Sequence, residues 1–319
     1  MKIEKLTPSF KDYLWGGTKL RDVYGKNCDY DKVAESWELS THPAGESFIS
    51  GGEYDGLKLS EYFAKAGKDV LGSDCAGFEN FPVLIKFIDA LQPLSVQVHP
   101  SDEYALRVEK EYGKTEMWYV VDCEEGASLY FGVNRPVTKE EFRAKLADNT
   151  IEEVLNKVDV HKGDCFFIES GTLHAIGSGI LICEIQQNSN TTYRVYDYAR
   201  RGADGKLREL HVDKALDVSK LTPSDTSDKQ GKAAAIDGGS VKRLASCRYF
   251  TTDKFDIDTE AEIEVDEKSF ASLMILEGEG KVTGNENSVD FRAADSVFIP
   301  AGSGKVKISG RCSFIRTTV

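Results

Sequence analysis

No stretch of the 319 residues comes near the roughly 18 consecutive apolar residues that a membrane-spanning helix needs. The opening residues, Met1-Lys2-Ile3-Glu4-Lys5-Leu6, contain no apolar signal-peptide core. No CxxC pair occurs. The seven cysteines (Cys28, Cys75, Cys123, Cys165, Cys183, Cys247 and Cys312) are scattered and odd in number, which argues against a disulfide framework. Reduced thiols in a cytoplasmic protein are the expectation. Cationic excess is lacking too. Forty Lys and Arg against 53 Asp and Glu give a net charge of −13, which disfavours nucleic acid as a partner, because a phosphate backbone needs clustered cations. A small phosphorylated ligand stays admissible, since a pocket can be basic on an acidic protein. A hydrophobic share of 40% and an aromatic share of 10% argue against disorder and supply a core for two or three domains.

What is present is mostly short β-type runs: Phe81 to Ala90, Leu94 to Val98, Met117 to Val121, Cys165 to Ile168, Ile180 to Gln186 and Thr192 to Tyr196. Several alternate apolar and polar residues, and glycine turns separate them. Helical patterns are few. Leu59 to Ala66 has Ser60 as its expected N-cap, Ser101 to Tyr112 has Ser101, and Thr138 to Leu146 opens with a Thr138–Glu141 capping box. Residues 218–240 are poor in large apolar residues and read as a linker. The segment Gly163-Asp164-Cys165-Phe166-Phe167-Ile168-Glu169-Ser170-Gly171 is echoed by Ala294-Asp295-Ser296-Val297-Phe298-Ile299-Pro300-Ala301-Gly302. Two related β units follow, with the second copy lacking a histidine. The division is a unit over 1–217, a linker over 218–240 and a smaller β unit over 241–319.

Chemistry concentrates in the first unit. In Leu94-Ser95-Val96-Gln97-Val98-His99-Pro100, a period of two puts Ser95, Gln97 and His99 on one strand face. Three aligned polar residues on a covered face need partners, and a metal or a polar ligand can supply them. Lys114 and Glu116 share a face by the same rule. His174 follows the tight turn Ser170-Gly171-Thr172. Gln97, His99, Glu116 and His174 offer two imidazoles, a carboxylate and an amide oxygen, a set that suits zinc. The other three histidines carry less. His161 reads as solvent-facing, His42 as structural, and His211 has no partner pattern nearby.

These segments resemble the signature motifs of the type I mannose-6-phosphate isomerases, a cupin family of zinc enzymes. So do Trp15-Gly16-Gly17 and Ala34-Glu35-Ser36-Trp37-Glu38-Leu39-Ser40. The resemblance spans roughly residues 10–200 and points to the shorter bacterial members. It implies a mainly β fold of two cupin-like jelly-roll units with a few added helices. It implies one Zn2+ per chain on Gln97, His99, Glu116 and His174. It gives catalytic roles to Arg194, Lys114, Glu184 and Lys86, and substrate contacts to Ser95 and, more loosely, Arg200. The implied reaction interconverts mannose 6-phosphate and fructose 6-phosphate by zinc-assisted proton transfer through an enediol. A raised Glu184 pKa would suit it as a proton carrier. On local pattern alone, Lys86 reads instead as the solvent face of an alternating strand, and Arg194 as a partner of Asp197. The competing function is a non-catalytic sugar-phosphate-binding regulatory protein on the same scaffold. An iron oxidation site would want more histidines than the motifs contain. Monomer and homodimer stay open.

Overall fold

The computed structural model describes residues 1–202, 205–226 and 230–319. Three antiparallel sheets organise it. A six-stranded sheet runs in the order Cys165–Ile168, Glu116–Cys123, Ile180–Gln187, Val83–Ala90, Glu35–Leu39 and Ser9–Lys11. A five-stranded sheet runs Tyr193–Tyr196, Val96–Val98, His174–Ala175, Ser128–Val133 and Leu155–Asp159. An eleven-stranded sheet gathers the strands from Ala234 onward, together with Glu4–Thr7 and Phe48–Ser50 from the start of the chain. No helix among the described residues is long and apolar enough to cross a membrane.

The three central strands of the six-stranded sheet are buried on both faces. Val83, Ile85 and Phe87, with Met117, Tyr119 and Val121 and with Leu181, Cys183 and Ile185, form one face. That face packs against residues of the large sheet such as Phe250, Met274 and Ile315. The opposite face has two zones. Ile88, Ala90, Trp118, Val120, Ile180 and Ile182 fill one end with an apolar plug, joined by Leu129 and Phe131 of the five-stranded sheet. At the other end stand Lys86, Glu116, Glu184 and Gln186, all buried. Register brings them together: Glu184 lies opposite Lys86 on one neighbour and Trp118 on the other, and Gln186 lies opposite Glu116. Thus the alternation in Val83–Ala90 does not mark a solvent face, because a second sheet covers it; Lys86 is only 6% exposed.

Helices sit outside this framework. Lys139–Ala147 starts as its sequence indicates, with the Thr138 hydroxyl accepting the Glu141 N–H at 3.1 Å. Its Phe142 is fully buried in the cluster beneath the five-stranded sheet, a burial that contributes about 1.5–3 kcal/mol. Leu59–Ala66 begins two residues earlier than a Ser60 cap requires. Lys58 is the capping position, its N–H is held by Glu61 at 3.0 Å, and the Ser60 hydroxyl is turned to Glu46. Asp102–Val108 is shorter than expected and Ser101 makes no side-chain cap; the chain turns at Lys110, whose φ is 62°. The two halves of the internal echo fold alike. Asp164 accepts the His161 N–H at 2.8 Å, Asp295 accepts the Arg292 N–H at 2.9 Å, and a four-residue strand follows each turn.

In the segment 218–240, residues 227–229 lie outside the described residues. Before them Lys220 donates its backbone N–H to Gly171 at 2.8 Å, and after them Ala234–Ile236 forms a strand.

Candidate metal centre and active site

His99, Glu116 and His174 come from three different strand ends and converge at the polar end of the sheets. Their ligand atoms all lie within 4.8 Å of one another. Backbone bonds set this up: Gly171 donates to the His99 carbonyl at 2.8 Å, and Lys114 donates to the Pro100 carbonyl at 3.0 Å. Each imidazole is oriented by its far nitrogen. Nδ1 of His99 meets the Thr191 carbonyl at 2.9 Å, and Nδ1 of His174 meets the Thr172 carbonyl at 2.8 Å. A ring nitrogen facing a carbonyl must carry the proton, so both Nε2 atoms present bare lone pairs. Those two Nε2 atoms are 3.1 Å apart. Burial, reinforced by Lys114 and the neighbouring ring, holds His99 well below the usual histidine range, and burial pushes His174 down to about 4. Both rings are therefore neutral at neutral pH, the state a metal ligand requires.

Glu116 is fully buried, and among the described residues its Oε1 has no hydrogen-bond partner. Oε1 stands 3.3 Å from Nε2 of His174, and Oε2 stands 3.6 Å from Nε2 of His99 and 2.8 Å from Nζ of Lys114. Facing lone pairs beside a half-satisfied buried carboxylate cost free energy unless a cation lies between them. Two zinc–nitrogen bonds of ~2.0–2.1 Å bring their nitrogens to roughly 3 Å of each other, the separation found here. The donor set fits a divalent metal. Gln97, half-buried, lies directly opposite His174 on one neighbouring strand and Arg194 on the other, so all three share one face.

Beside these ligands is a buried charge cluster. Lys86 Nζ lies 2.9 Å from Glu184, 3.4 Å from Glu35 and 5.4 Å from the Trp37 ring centre. Glu184 accepts from the Trp118 indole at 2.8 Å and lies 3.8 Å from Lys114. Burial and the nearby Glu184 push Glu116 up. Burial acts the same way on Glu184, but Lys114 and Lys86 outweigh it and hold that carboxylate below its usual range. The raised pKa expected for Glu184 is therefore not found, and the reason is its two lysine neighbours. With all three carboxylates ionised, Glu35, Glu116 and Glu184 would exceed Lys86 and Lys114 by one negative charge, which a bound cation would balance. Removing one partner from such a cluster strands buried charge. Lys86→Met is expected to destabilise the fold by about 3–5 kcal/mol, read from the denaturation midpoint in urea.

Arg194 is not paired with Asp197. Its Nη1 donates to the Glu209 carbonyl at 2.9 Å and its buried Nε has no partner. Asp197 is taken instead by Arg200, and by Arg208 at 3.3 Å. Arg200 also donates to the Pro93 carbonyl at 2.5 Å, two residues before Ser95, which is itself buried. His211, far from lacking a partner, accepts the Arg194 N–H on Nδ1 at 3.1 Å. His161 is exposed, as its turn suggests. None of the seven cysteines forms a disulfide.

Several participants carry no local signal. Glu111 receives the Thr191 hydroxyl at 2.6 Å and the Asn190 N–H at 2.9 Å, and pairs with His42 at 2.9 Å. Burial opposes its charge, but His42, Thr191 and Asn190 hold it at about 2. It thereby fixes the residue whose carbonyl orients His99. The Trp15-Gly16-Gly17 motif has a steric reason: a Cβ on Gly17 would fall 2.4 Å from the Asp89 carboxylate, and one on Gly16 would fall 2.7 Å from the Ala34 Cα.

A model of the type I phosphomannose isomerase catalytic domain matches residues 3–130, and one of the mannose-6-phosphate isomerase cupin domain matches residues 240–319. The chain is 39% identical over 304 residues to the Bacillus subtilis mannose-6-phosphate isomerase ManA, covering 95% of this chain and 94% of that one. The chain belongs to the type I mannose-6-phosphate isomerase family. A Streptococcus mutans mannose-6-phosphate isomerase is 36% identical, with 90% of this chain and 89% of that one aligned. A crystal structure of the Bacillus subtilis enzyme superposes over the whole of both chains with a TM-score of 0.92 at 34% identity. The mainly β, cupin-type architecture is that of this family.

Proposed function

We infer that this member of the family interconverts mannose 6-phosphate and fructose 6-phosphate by proton transfer through an enediol, with one zinc ion per chain. The observation that carries the reading is the buried Glu116 carboxylate, met by Lys114 on one oxygen alone, between two imidazoles with converging lone pairs. His99, Glu116 and His174 would hold the ion, with Gln97 as fourth ligand. When bound, zinc would supply Lewis-acid polarisation of the sugar oxygens.

The isomerisation moves one proton between adjacent carbons and another between their oxygens. Lys114 and Lys86 present ammonium protons where the sugar oxygens would lie. Glu184, kept ionised by these lysines, aligns them and can receive a proton from either. Arg194, with its unpartnered Nε, would orient the sugar hydroxyls and stabilise the enediolate through donors fixed in one plane. Ser95 and Arg200 would meet the phosphate, with Arg208 adding positive charge beside Asp197. Seven cysteines outside any disulfide agree with a reducing cytoplasm.

A coupled assay of mannose 6-phosphate conversion, with metal analysis on the same sample, tests the reading. Activity should disappear with a chelator and return with zinc. A zinc-loaded protein that binds the sugar phosphate without turning it over would instead favour the regulatory function.

A further inference from the structure

The region matched by the cupin-domain model contributes none of the candidate site residues, yet one of its turns reaches the site's supports. Residues 247–250 join the strands Gly239–Ser246 and Thr251–Ile257. Phe250 is fully buried and packs edge-on to Phe167 at 6.4 Å. Phe167 lies opposite Met117, and Ile168 opposite Glu116. The adjacent Tyr249 has its N–H held by Cys247 Sγ at 3.5 Å and donates its hydroxyl to Asp102 Oδ2 at 2.7 Å.

Asp102 is a junction. Its Oδ1 accepts the Gly113 N–H at 2.9 Å and the Gln187 side-chain amide at 2.8 Å. Gln187 in turn accepts the Thr115 N–H at 2.8 Å on its own oxygen. The amides on both sides of Lys114 are thus tied to Asp102, one directly and one through Gln187. The approach is close. A Cβ on Gly113 would fall 2.4 Å from both the Asp102 nitrogen and the Ser101 carbonyl carbon, so only glycine fits there. Lys114 itself donates to the carbonyl of Pro100, the residue after His99. Its Nζ ends 2.8 Å from Glu116 and 3.3 Å from His99.

We propose that Tyr249 is a positioning residue through which the C-terminal β unit sets Lys114 against His99 and Glu116, acting by way of Asp102. The proposal rests on the functional reading above. A phenol hydrogen bond from a separately packed turn fixes the rotamer of Asp102, and Asp102 fixes the strand entry that delivers Lys114.

Two measurements on the full chain test it. Hydrogen exchange of the peptide spanning residues 113–118 needs no substrate; Tyr249→Phe should speed it about tenfold while the rest of the sheet keeps its protection. In the coupled assay, Tyr249→Phe should lower kcat about tenfold with KM changed less than about twofold. Adding Tyr249→Phe to Asp102→Asn should lower kcat no further than Asp102→Asn alone. Unchanged local exchange, or additive losses in the double variant, would overturn the proposal. So would faster exchange throughout the Glu116–Cys123 and Ile180–Gln187 strands, which would make Tyr249 a packing residue. An inactive wild-type protein would defeat the isomerase reading instead, leaving the exchange result to stand by itself.

Discussion

His174→Ala should abolish turnover, with kcat reduced at least about a thousandfold, and should leave the purified protein almost free of metal while its circular dichroism is unchanged. The ring is buried beside the Trp118 ring, oriented by the Thr172 carbonyl, and aims a bare nitrogen at Glu116. Alanine removes one of two imidazoles and leaves Glu116 facing an empty volume with its charge less well balanced. Water can occupy that volume, so the fold survives more readily than the site does. Elemental analysis beside the coupled assay decides the matter. A variant that keeps both metal and activity would remove His174 from the ligand set.

Arg194→Ala should separate the two readouts. Here kcat should fall by about 10²–10³, the cost of removing one donor aimed at developing negative charge, while metal content stays near that of the wild type. The side chain shares a face with Gln97, and its guanidinium donates to the Glu209 carbonyl and not to the three clustered ligands among the described residues. Loss of metal in step with activity would mean that Arg194 supports the ligands and does not act on the substrate.

Much of this site can be read from local pattern, because short polar rows interrupt otherwise apolar strands. Gln97 and His99, Lys114 and Glu116, and the histidine after the Gly171 turn all stand out that way. Cys165–Ile168 forms the strand its residues suggest. Partnership across the chain has no such signature. Glu35 meets Lys86 from 51 residues away, and Glu111 supports Thr191 from 80 residues away. The ionisation of Glu184 depends on Lys86 from a neighbouring strand and Lys114 from the entry to another, and no reading of its own strand could supply that. Lys86 shows the same limit: alternation specifies two faces, but only the assembled sheets determine whether either is wet. The Ser60 cap failed for a smaller reason, since Glu46 competes for the hydroxyl.

The pairing of Glu4–Thr7 with Ser296–Ile299 bears on the order of events during synthesis. These two strands lie about 290 residues apart in the chain, and Ile3 exchanges backbone hydrogen bonds with the Asn287 side chain at 2.8 and 2.9 Å. At ribosomal rates of about 5–20 residues per second, the earlier strand waits roughly 15–60 s for its neighbour. Meanwhile Ile3 and Leu6, buried in the finished protein, have no complete sheet to cover them. This edge therefore closes only once residues 296–299 have been made, and a nascent chain stalled before residue 296 would carry it unpaired, the kind of surface that chaperones guard.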